Sequence, residues 1–197
     1  MIYFTSDTHF GHANVIKLAG RPWRTIEQMD AALVAGINAR VRMRDELWIL
    51  GDFSYRLGGD EALAIRQSIN CRRVHLVPGN HDRNWAVPEL EGAFILESPI
   101  AKVKYEGNKF VCSHYPIMDW EGMRRGSIQL HGHIHSKADY NEHNRGRGLF
   151  RYDVGVDANG YQPVSIEEVM AFFDGAESGG RVNWREWDEP LATEEQR

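Results

Sequence analysis

Cysteine is scarce in this chain. Its 197 residues include only Cys71 and Cys112, so no disulfide framework is indicated, as is usual in a reducing compartment. The amino terminus carries no basic segment followed by an apolar run, and no stretch approaches the roughly 20 apolar residues of a membrane helix. We therefore expect a cytoplasmic protein with no membrane partner.

Positive charge is not in excess either. Lysine and arginine number 23 against 28 aspartate and glutamate residues, which gives a net charge of −5. Such a chain is not suited to a tight non-specific hold on a polyanion, so we expect no stable binding to duplex DNA. The composition, 42% hydrophobic and 26% charged, is typical of a globular domain. We place that domain at residues 1–175, followed by a polar tail at 176–197 that docks in part through Trp184 and Trp187.

The first half of the chain alternates between apolar strands and helices. Strands are predicted at 2–6, 47–50 and 74–77, and helices from near Ala13, at 26–41 and at 60–69. Thr25 and Gln28 form a predicted capping box at the start of the second helix. The alternation indicates parallel β-α-β units.

The second half is built from short strands. They are predicted at 94–97, 101–105, 109–113, 127–130 and 149–154. Their spacing, with a hairpin turn at 106–108, favours an antiparallel or mixed sheet. The polar segment 136–148 is predicted to be a mobile loop, and 165–173 a helix capped by Ser165 and Glu168. The chain as a whole is predicted to be α/β with mixed strands.

Three histidines, His131, His133 and His135, lie within five residues. In an extended segment alternate side chains point to the same side, and neutral imidazole is the commonest metal ligand in proteins. A short histidine cluster is equally compatible with a solvated loop. The cluster becomes informative only together with similar residues elsewhere in the chain.

Four more groups of Asp, Asn or His follow predicted strands. They are Asp7 with His9, Asp52, Asn80 with His81, and His114. In α/β folds the carboxyl ends of strands are where ligands bind. Asp7 alone could instead cap the helix that starts near Ala13. Taken together, the groups supply enough nitrogen and oxygen ligands, and no thiolate, for two ions of Mn, Fe, Zn, Ni or Co with a bridging carboxylate.

These groups resemble the motifs of the calcineurin-like metallophosphoesterase superfamily. The matching segments are Asp7-Thr8-His9, Gly51-Asp52, Gly79-Asn80-His81-Asp82, His114 and Gly132-His133-Ile134-His135. Residues 6–12 and 154–161 further resemble a small bacterial and phage branch of that superfamily. The resemblance implies a four-layer αββα sandwich with two mixed β-sheets.

The resemblance also implies a site with two divalent cations, of which Mn²⁺ is the favoured one. It assigns one ion to Asp7, His9, Asp52 and His135, and the other to Asp52, Asn80, His114 and His133. The catalytic residues would be His81, Asp52 and Asp82. Asp52 bridges the ions, and His81 protonates the leaving group. Asp82 orients His81 or caps the helix after it, and His131 has a supporting role outside the shared motif.

The implied chemistry is attack on phosphorus by a hydroxide that bridges the ions. We expect the substrate to be a small or nucleotide-like phosphodiester. A phosphomonoesterase or protein phosphatase, or a non-catalytic scaffold, are the alternatives. His12, Arg145 and Arg147 are predicted to contact the substrate, and Arg124 and Arg125 to lie at the rim of an open cleft. Each of these arginines is equally compatible with a solvated surface.

Overall fold

The structure, a computed structural model, describes residues 1–82 and 87–177. Within them the chain forms nine strands: β1 Ile2–Thr5, β2 Glu46–Leu50, β3 Arg73–Val77, β4 Ile95–Leu96, β5 Ile100–Tyr105, β6 Asn108–Ser113, β7 Ile128–His131, β8 Arg151–Asp153 and β9 Val164–Ser165. The α-helices are α1 Ala13–Leu18, α2 Ile26–Arg40, α3 Gly59–Ser68, α4 Asp139–Gly146 and α5 Ile166–Phe173. The predicted docking of Trp184 and Trp187 falls outside the described residues.

The strands form two mixed sheets, as predicted. In the first sheet the order is β4-β3-β2-β1-β9, with β1 to β4 parallel and β9 antiparallel to β1. In the second the order is β5-β6-β7-β8, where β5 and β6 form an antiparallel hairpin and β6, β7 and β8 are parallel. The predicted strand at 94–97 therefore extends the first sheet rather than the second.

Side-chain alternation explains why the first sheet is covered on both faces. In β2, Trp48 and Leu50 pack between the two sheets, whereas Leu47 and Ile49 pack under the helices α1 to α3. Because successive strand residues point to opposite faces, a strand with an unbroken apolar run is buried on both faces of the sheet. On the outer face of the second sheet, α4 and the segment around Trp120 complete the four layers.

The prediction of a mobile loop at 136–148 is wrong, because α4 occupies most of that segment. The side chain of Asn141 donates to the carbonyl of Asp153 at 3.0 Å and accepts from its N–H at 2.7 Å. These two bonds fix the helix to the end of β8. A polar side chain here makes a tertiary contact, which composition alone does not distinguish from solvation.

The capping predictions have two outcomes. Ser165 and Glu168 form a reciprocal capping box, with N–H to side-chain distances of 3.1 and 2.7 Å. Thr25 accepts from the N–H of Gln28, but the Gln28 side chain accepts from Arg24 rather than from Thr25. The box at α2 is therefore shifted by one residue. In the described parts of the chain, no helix has the length and apolar character needed to cross a membrane.

The two sheets are joined at the edge where their parallel strands end. Ser6, directly after β1, forms a parallel bridge with Gly155, two residues after the end of β8. The N–H of Gly132 donates to the carbonyl of His114 at 2.9 Å, which links the ends of β7 and β6. Loops from both sheets therefore meet at one edge of the sandwich.

Candidate metal centre

The chemistry-bearing side chains follow five strands that end at this common edge. Asp7 and His9 follow β1, Asp52 follows β2, Asn80 and His81 follow β3, His114 follows β6, and His133 and His135 follow β7. Six of these side chains form two groups that could each hold a metal ion: Asp7, His9 and His135 in one, and Asp52, His114 and His133 in the other. Within each group the ligand atoms lie within 4.8 Å of one another. We call them group 1 and group 2.

Asp52 belongs to group 2 but faces both groups. Its Oδ2 lies 3.4 Å from Nε2 of His114 and 3.5 Å from Nε2 of His9. Its Oδ1 accepts the N–H of His81 at 2.8 Å. Burial opposes ionisation, but the hydrogen bond with His114 and the N–H of His81 hold the pKa of Asp52 at about 2.

Asn80 joins group 2 through His114, since its Oδ1 lies 2.9 Å from Nε2 of that ring. The other ring nitrogen of His114 lies 2.9 Å from the carbonyl oxygen of Leu50. A proton on that nitrogen leaves Nε2 as the lone-pair side, directed at Asn80 and Asp52. The orientation is the one a metal ligand requires.

The backbone at the site adopts an unusual conformation. Eight non-glycine residues in the described parts have positive φ, and five of them are Asp7, His9, Asp52, His133 and His135. Side chains with a Cβ rarely occupy this region, because it costs of order 1–3 kcal/mol. Such residues concentrate where function over-determines the geometry, so their coincidence with the candidate ligands supports a functional site.

Glycine is required beside the ligands for space. A Cβ on Gly132 would lie 2.2 Å from Oδ2 of Asp7, and a Cβ on Gly79 would lie 2.3 Å from Oδ1 of Asp52. Both distances are far below van der Waals contact. The glycines of the two motifs therefore allow the carboxylates to approach the neighbouring loops.

The donor set of group 1 fits a cation. Asp7 is fully buried, and its Oδ1 has no hydrogen-bond partner among the described residues. Burial raises the pKa of Asp7 to about 6, and burial lowers the pKa of His9 to about 3, so His9 is a neutral imidazole. Nε2 of His9 and Nε2 of His135 converge to 3.2 Å. An unpartnered carboxylate oxygen and two convergent imidazole nitrogens are what a divalent ion would satisfy.

Sequence reasoning assigned no role to two residues behind group 1. Oδ2 of Asp157 lies 2.7 Å from Nδ1 of His135, and the guanidinium of Arg21 binds both Asp157 oxygens at 3.0 and 2.9 Å. Arg21 also donates to the carbonyl of Asp7 at 2.6 Å. Burial opposes ionisation of Asp157, but the hydrogen bonds from His135 and Arg21 hold its pKa at about 2.

A carboxylate behind a ligand histidine fixes the ring orientation and raises its basicity. Asp157 lies within the segment 154–161 that carried part of the family resemblance, and this was its only signal in the sequence. Its pairing with His135 depends on the return of the chain from β8.

His81 and His12 lie together at the mouth of the site. The His81 ring centroid is 5.3 Å from that of His9, and the His12 ring stacks on Tyr55 with centroids 3.9 Å apart. Tyr55 also contacts the His81 ring, at 5.1 Å. The structure thus brings both predicted histidines beside group 1 and adds Tyr55, which the sequence did not single out.

Asp82 has a different contact from the predicted one. Its carboxylate accepts the N–H groups of Asp52, Phe53 and Gly79 at 2.6, 3.0 and 2.9 Å. It therefore holds the loops after β2 and β3 together rather than orienting the His81 ring. The helix that it was predicted to cap would begin in residues 83–86, outside the described part.

The predicted rim arginines are not brought to the site. Arg145 donates to the carbonyl of Asp174 at 3.4 Å, and its guanidinium lies 5.6 Å from the ring of Phe172. Arg147 directly follows α4 and precedes β8, and Arg124 and Arg125 lie in a single 3₁₀ turn before β7. Since β7 and β8 run toward the metal-ligand edge, residues that precede them lie at the opposite edge.

His131 is buried inside the second sheet. Its Nδ1 lies 2.8 Å from the carbonyl oxygen of Gly132, and its Nε2 lies 3.3 Å from the hydroxyl of Tyr140. Both ring nitrogens therefore have partners within the protein. This placement agrees with the supporting role predicted for it.

Comparison with known proteins gives relatives that share most of the chain. An uncharacterized protein of Methanocaldococcus jannaschii is 30% identical over 177 residues, which cover 88% of this chain and 91% of that protein. The gene 66 protein of Mycobacterium phage L5 is 28% identical and covers 85% of this chain and 91% of its own. A protein of unknown function from Aquifex aeolicus has a solved structure with a TM-score of 0.68 and 25% identity, covering 87% of this chain and 98% of that one.

The family comparison extends over both metal-ligand groups. Residues 1–165 match the calcineurin-like phosphoesterase family. The match begins before Asp7 and ends after Asp157, so every candidate ligand lies inside it. On this match, the chain belongs to the calcineurin-like phosphoesterase family.

Proposed function

We propose that this protein is a phosphodiesterase that uses two divalent metal ions to hydrolyse small or nucleotide-like diesters. The observation that carries the proposal is the position of Asp52, whose Oδ2 lies within 3.5 Å of a histidine of each group. A pair of metal ions needs a carboxylate that both can share. The proposed ligands are Asp7, His9, Asp52 and His135 for ion 1, and Asp52, Asn80, His114 and His133 for ion 2.

The metal preference follows from the donors. All are imidazole nitrogens, carboxylate oxygens or an amide oxygen, which suits Mn²⁺, and also Fe, Zn, Ni or Co. Two such cations would supply an activated water as the nucleophile and positive charge that stabilises the phosphoryl oxygens.

His81 is the proposed general acid. Its backbone N–H is held by Asp52, and its ring lies beside His9 and Tyr55 at the mouth of the site. A ring so placed donates its proton to the oxygen that leaves phosphorus. The His81 imidazole belongs to neither ligand group. The proposed reaction needs no covalent intermediate with the protein.

Charge supports a diester over a monoester. A diester carries one negative charge, whereas a monoester carries up to two near neutral pH. Arg145, which was predicted to clamp a second phosphate, donates instead to the carbonyl of Asp174. Arg21, beside group 1, is buried and already paired with Asp157. Neither of these two arginines is therefore placed to meet a second phosphate charge.

The test compares kcat/KM for bis-nitrophenyl phosphate and nitrophenyl phosphate with Mn²⁺, with duplex DNA cleavage measured in parallel at physiological salt. We expect the diester to be preferred at least about tenfold and the duplex to remain intact. Asp52→Ala is the control for contaminating activity. A tenfold monoester preference or efficient duplex cleavage would overturn the substrate class, and the absence of any turnover would favour a scaffold.

A further inference from the structure

A cavity of about 340 Å³ opens beside His81, and no residue of the two ligand groups lines it. The loop after β2 and the start of α3 form one wall, and Val87 and Leu90 form part of another. Neither the rim arginines predicted from the sequence nor the metal ligands line it. The cavity is thus a feature separate from the ion site but continuous with it through His81.

The lining suits an uncharged organic group. Leu57, Ala62 and Leu90 supply apolar surface, Tyr55 supplies an aromatic side, and Arg56 lies near the rim with its guanidinium 5.1 Å from the Tyr55 ring centroid. Among the described residues that line the cavity, none carries an acidic side chain. Apolar walls with a few polar groups are typical of small-molecule pockets, and this volume is at the small end of their range, about 300–1,000 Å³. A nucleoside fits that description, whereas a long polymer does not.

The position of the cavity relates it to the leaving group. Tyr55 packs on His12 at 3.9 Å and on His81 at 5.1 Å, so it joins the mouth of the ion site to the cavity wall. In an in-line displacement the leaving oxygen lies opposite the nucleophile. If His81 protonates that oxygen, the carbon skeleton attached to it must extend past His81, which is where the cavity lies.

We propose that this cavity binds the leaving group of the substrate and that the leaving group is a nucleoside. The inference rests on the proposed diesterase function and specifies its substrate. In the reaction, the oxygen of water forms a new bond to phosphorus and the bond from phosphorus to the nucleoside oxygen breaks. The bonding electrons stay on that oxygen, which takes a proton from His81. The products are a free nucleoside and the phosphate monoester of the other alcohol.

The methyl ester of adenosine 5′-phosphate tests which alcohol occupies the cavity. Both of its ester alcohols are poor leaving groups of similar strength, so binding decides which bond breaks. We expect adenosine and methyl phosphate as products. Adenosine 5′-phosphate and methanol as the main products would overturn the proposal, because the nucleoside would then lie on the other side of phosphorus.

A filling variant sharpens the test. Val87 is half-buried in the cavity wall, and Val34 is similarly half-buried on α2 but packs under the first sheet. We expect Val87→Trp to shift the products toward adenosine 5′-phosphate and methanol, or to slow cleavage at least tenfold, and Val34→Trp to match the wild type. Equal product ratios and rates in wild type and Val87→Trp would contradict the assignment of the cavity.

Adenosine binding gives a readout that needs no catalysis. Calorimetric titration of the chelator-treated wild-type protein should give a measurable Kd that Val87→Trp weakens at least tenfold and Val34→Trp leaves unchanged. Unaltered binding in Val87→Trp would overturn the site. Turnover of bis-nitrophenyl phosphate by the metal-loaded wild type separates the two proposals. No turnover would overturn the diesterase function, whereas turnover without adenosine binding would overturn only the nucleoside subsite.

Discussion

Group 1 and group 2 share Asp52 but differ in charge and in what supports them. Group 1 has a second carboxylate, Asp7, which is fully buried. Group 2 has the neutral amide of Asn80 in its place, beside His114. With Asp52 shared as proposed, two carboxylates would face ion 1 and one would face ion 2. Because a cation is held more strongly by more carboxylates, we expect ion 1 to bind more tightly than ion 2.

The support behind each group follows the same order. His135 of group 1 contacts the ionised Asp157, which in turn is fixed by Arg21. On the side of the His114 ring away from group 2, Nδ1 contacts a neutral carbonyl oxygen, that of Leu50. A carboxylate increases the basicity of a ligand histidine more than a carbonyl does. We therefore expect the two halves of the proposed site to differ in affinity, with ion 1 held firmly and ion 2 exchanged more readily.

Removing the shared ligand should have the largest effect. We expect Asp52→Ala to lose both ions and all measurable turnover, because each group loses the carboxylate between them. Asn80→Ala should keep ion 1 and lose mainly ion 2. Elemental analysis of the purified variants measures this difference. Two ions per chain in Asp52→Ala would contradict the shared position of this residue.

His81→Ala should leave both groups intact. Its imidazole is outside both, so we expect the variant to retain the wild-type metal content and to lose rate by about 10²–10⁴-fold with an alkyl leaving group. Nitrophenolate departs without a proton, so the loss with nitrophenyl esters should be much smaller. Rate constants for the two leaving groups, with metal analysis, test the role. Equal losses for both would count against the general acid.

The sequence identified the candidate ligands more fully than the residues that support them. Asp7, His9, Asp52, His133 and His135 were each identified from short motifs at the ends of apolar strands, and the structure brings them within two adjoining groups. Such motifs are local, because each requires only a strand end and one or two side chains. Alternating hydrophobic strands and helices likewise sufficed to predict α/β with mixed strands, whereas the division into two mixed sheets was implied only by the family resemblance.

Contacts between distant segments could not be predicted in this way. Asp157 meets His135 from 22 residues away, and Arg21 reaches Asp157 across 136 residues. The prediction that Arg145 lies at the substrate site failed for the same reason. Arg145 follows a ligand in sequence, but α4 carries it to the carbonyl of Asp174 at the far edge. Nearness in sequence to a metal ligand is a weak guide once a helix intervenes.

Breaking the support of group 1 should affect one ion more than the other. We expect Asp157→Asn to weaken binding of ion 1 by about 10–100-fold, since the His135 ring loses its charged partner, and to leave ion 2 nearly unchanged. Asp153→Asn is a control, because the side chain of Asp153, like that of Asp157, is buried but bonds Ser136 and Gly155 rather than a ligand ring. Titration calorimetry with Mn²⁺ resolves the two affinities. Equal weakening of both would indicate a general loss of structure.

The smallest expected effect concerns the stability of the metal-free protein. Burial raises the pKa of Asp7 from 3.8 to about 6, so the folded state binds this proton more tightly than the unfolded state does. The contribution of Asp7 to stability therefore falls as pH rises from about 4 to 6 and then levels off. Asp7→Asn has no such charge, and its Tm after chelation should exceed that of the wild type at pH 7 by a few degrees, with each kcal/mol worth about 2–4 °C.

Thermal unfolding of both proteins, chelated and with Mn²⁺, measures this. Added Mn²⁺ should raise the Tm of the wild type, because the ion supplies the charge partner that Oδ1 of Asp7 otherwise lacks. Mn²⁺ should raise the Tm of Asp7→Asn much less, so the wild type should have the higher Tm when the metal is present. If Asp7→Asn were less stable than the wild type without metal at pH 7, Asp7 would have a structural role, and the higher affinity of group 1 would need another explanation.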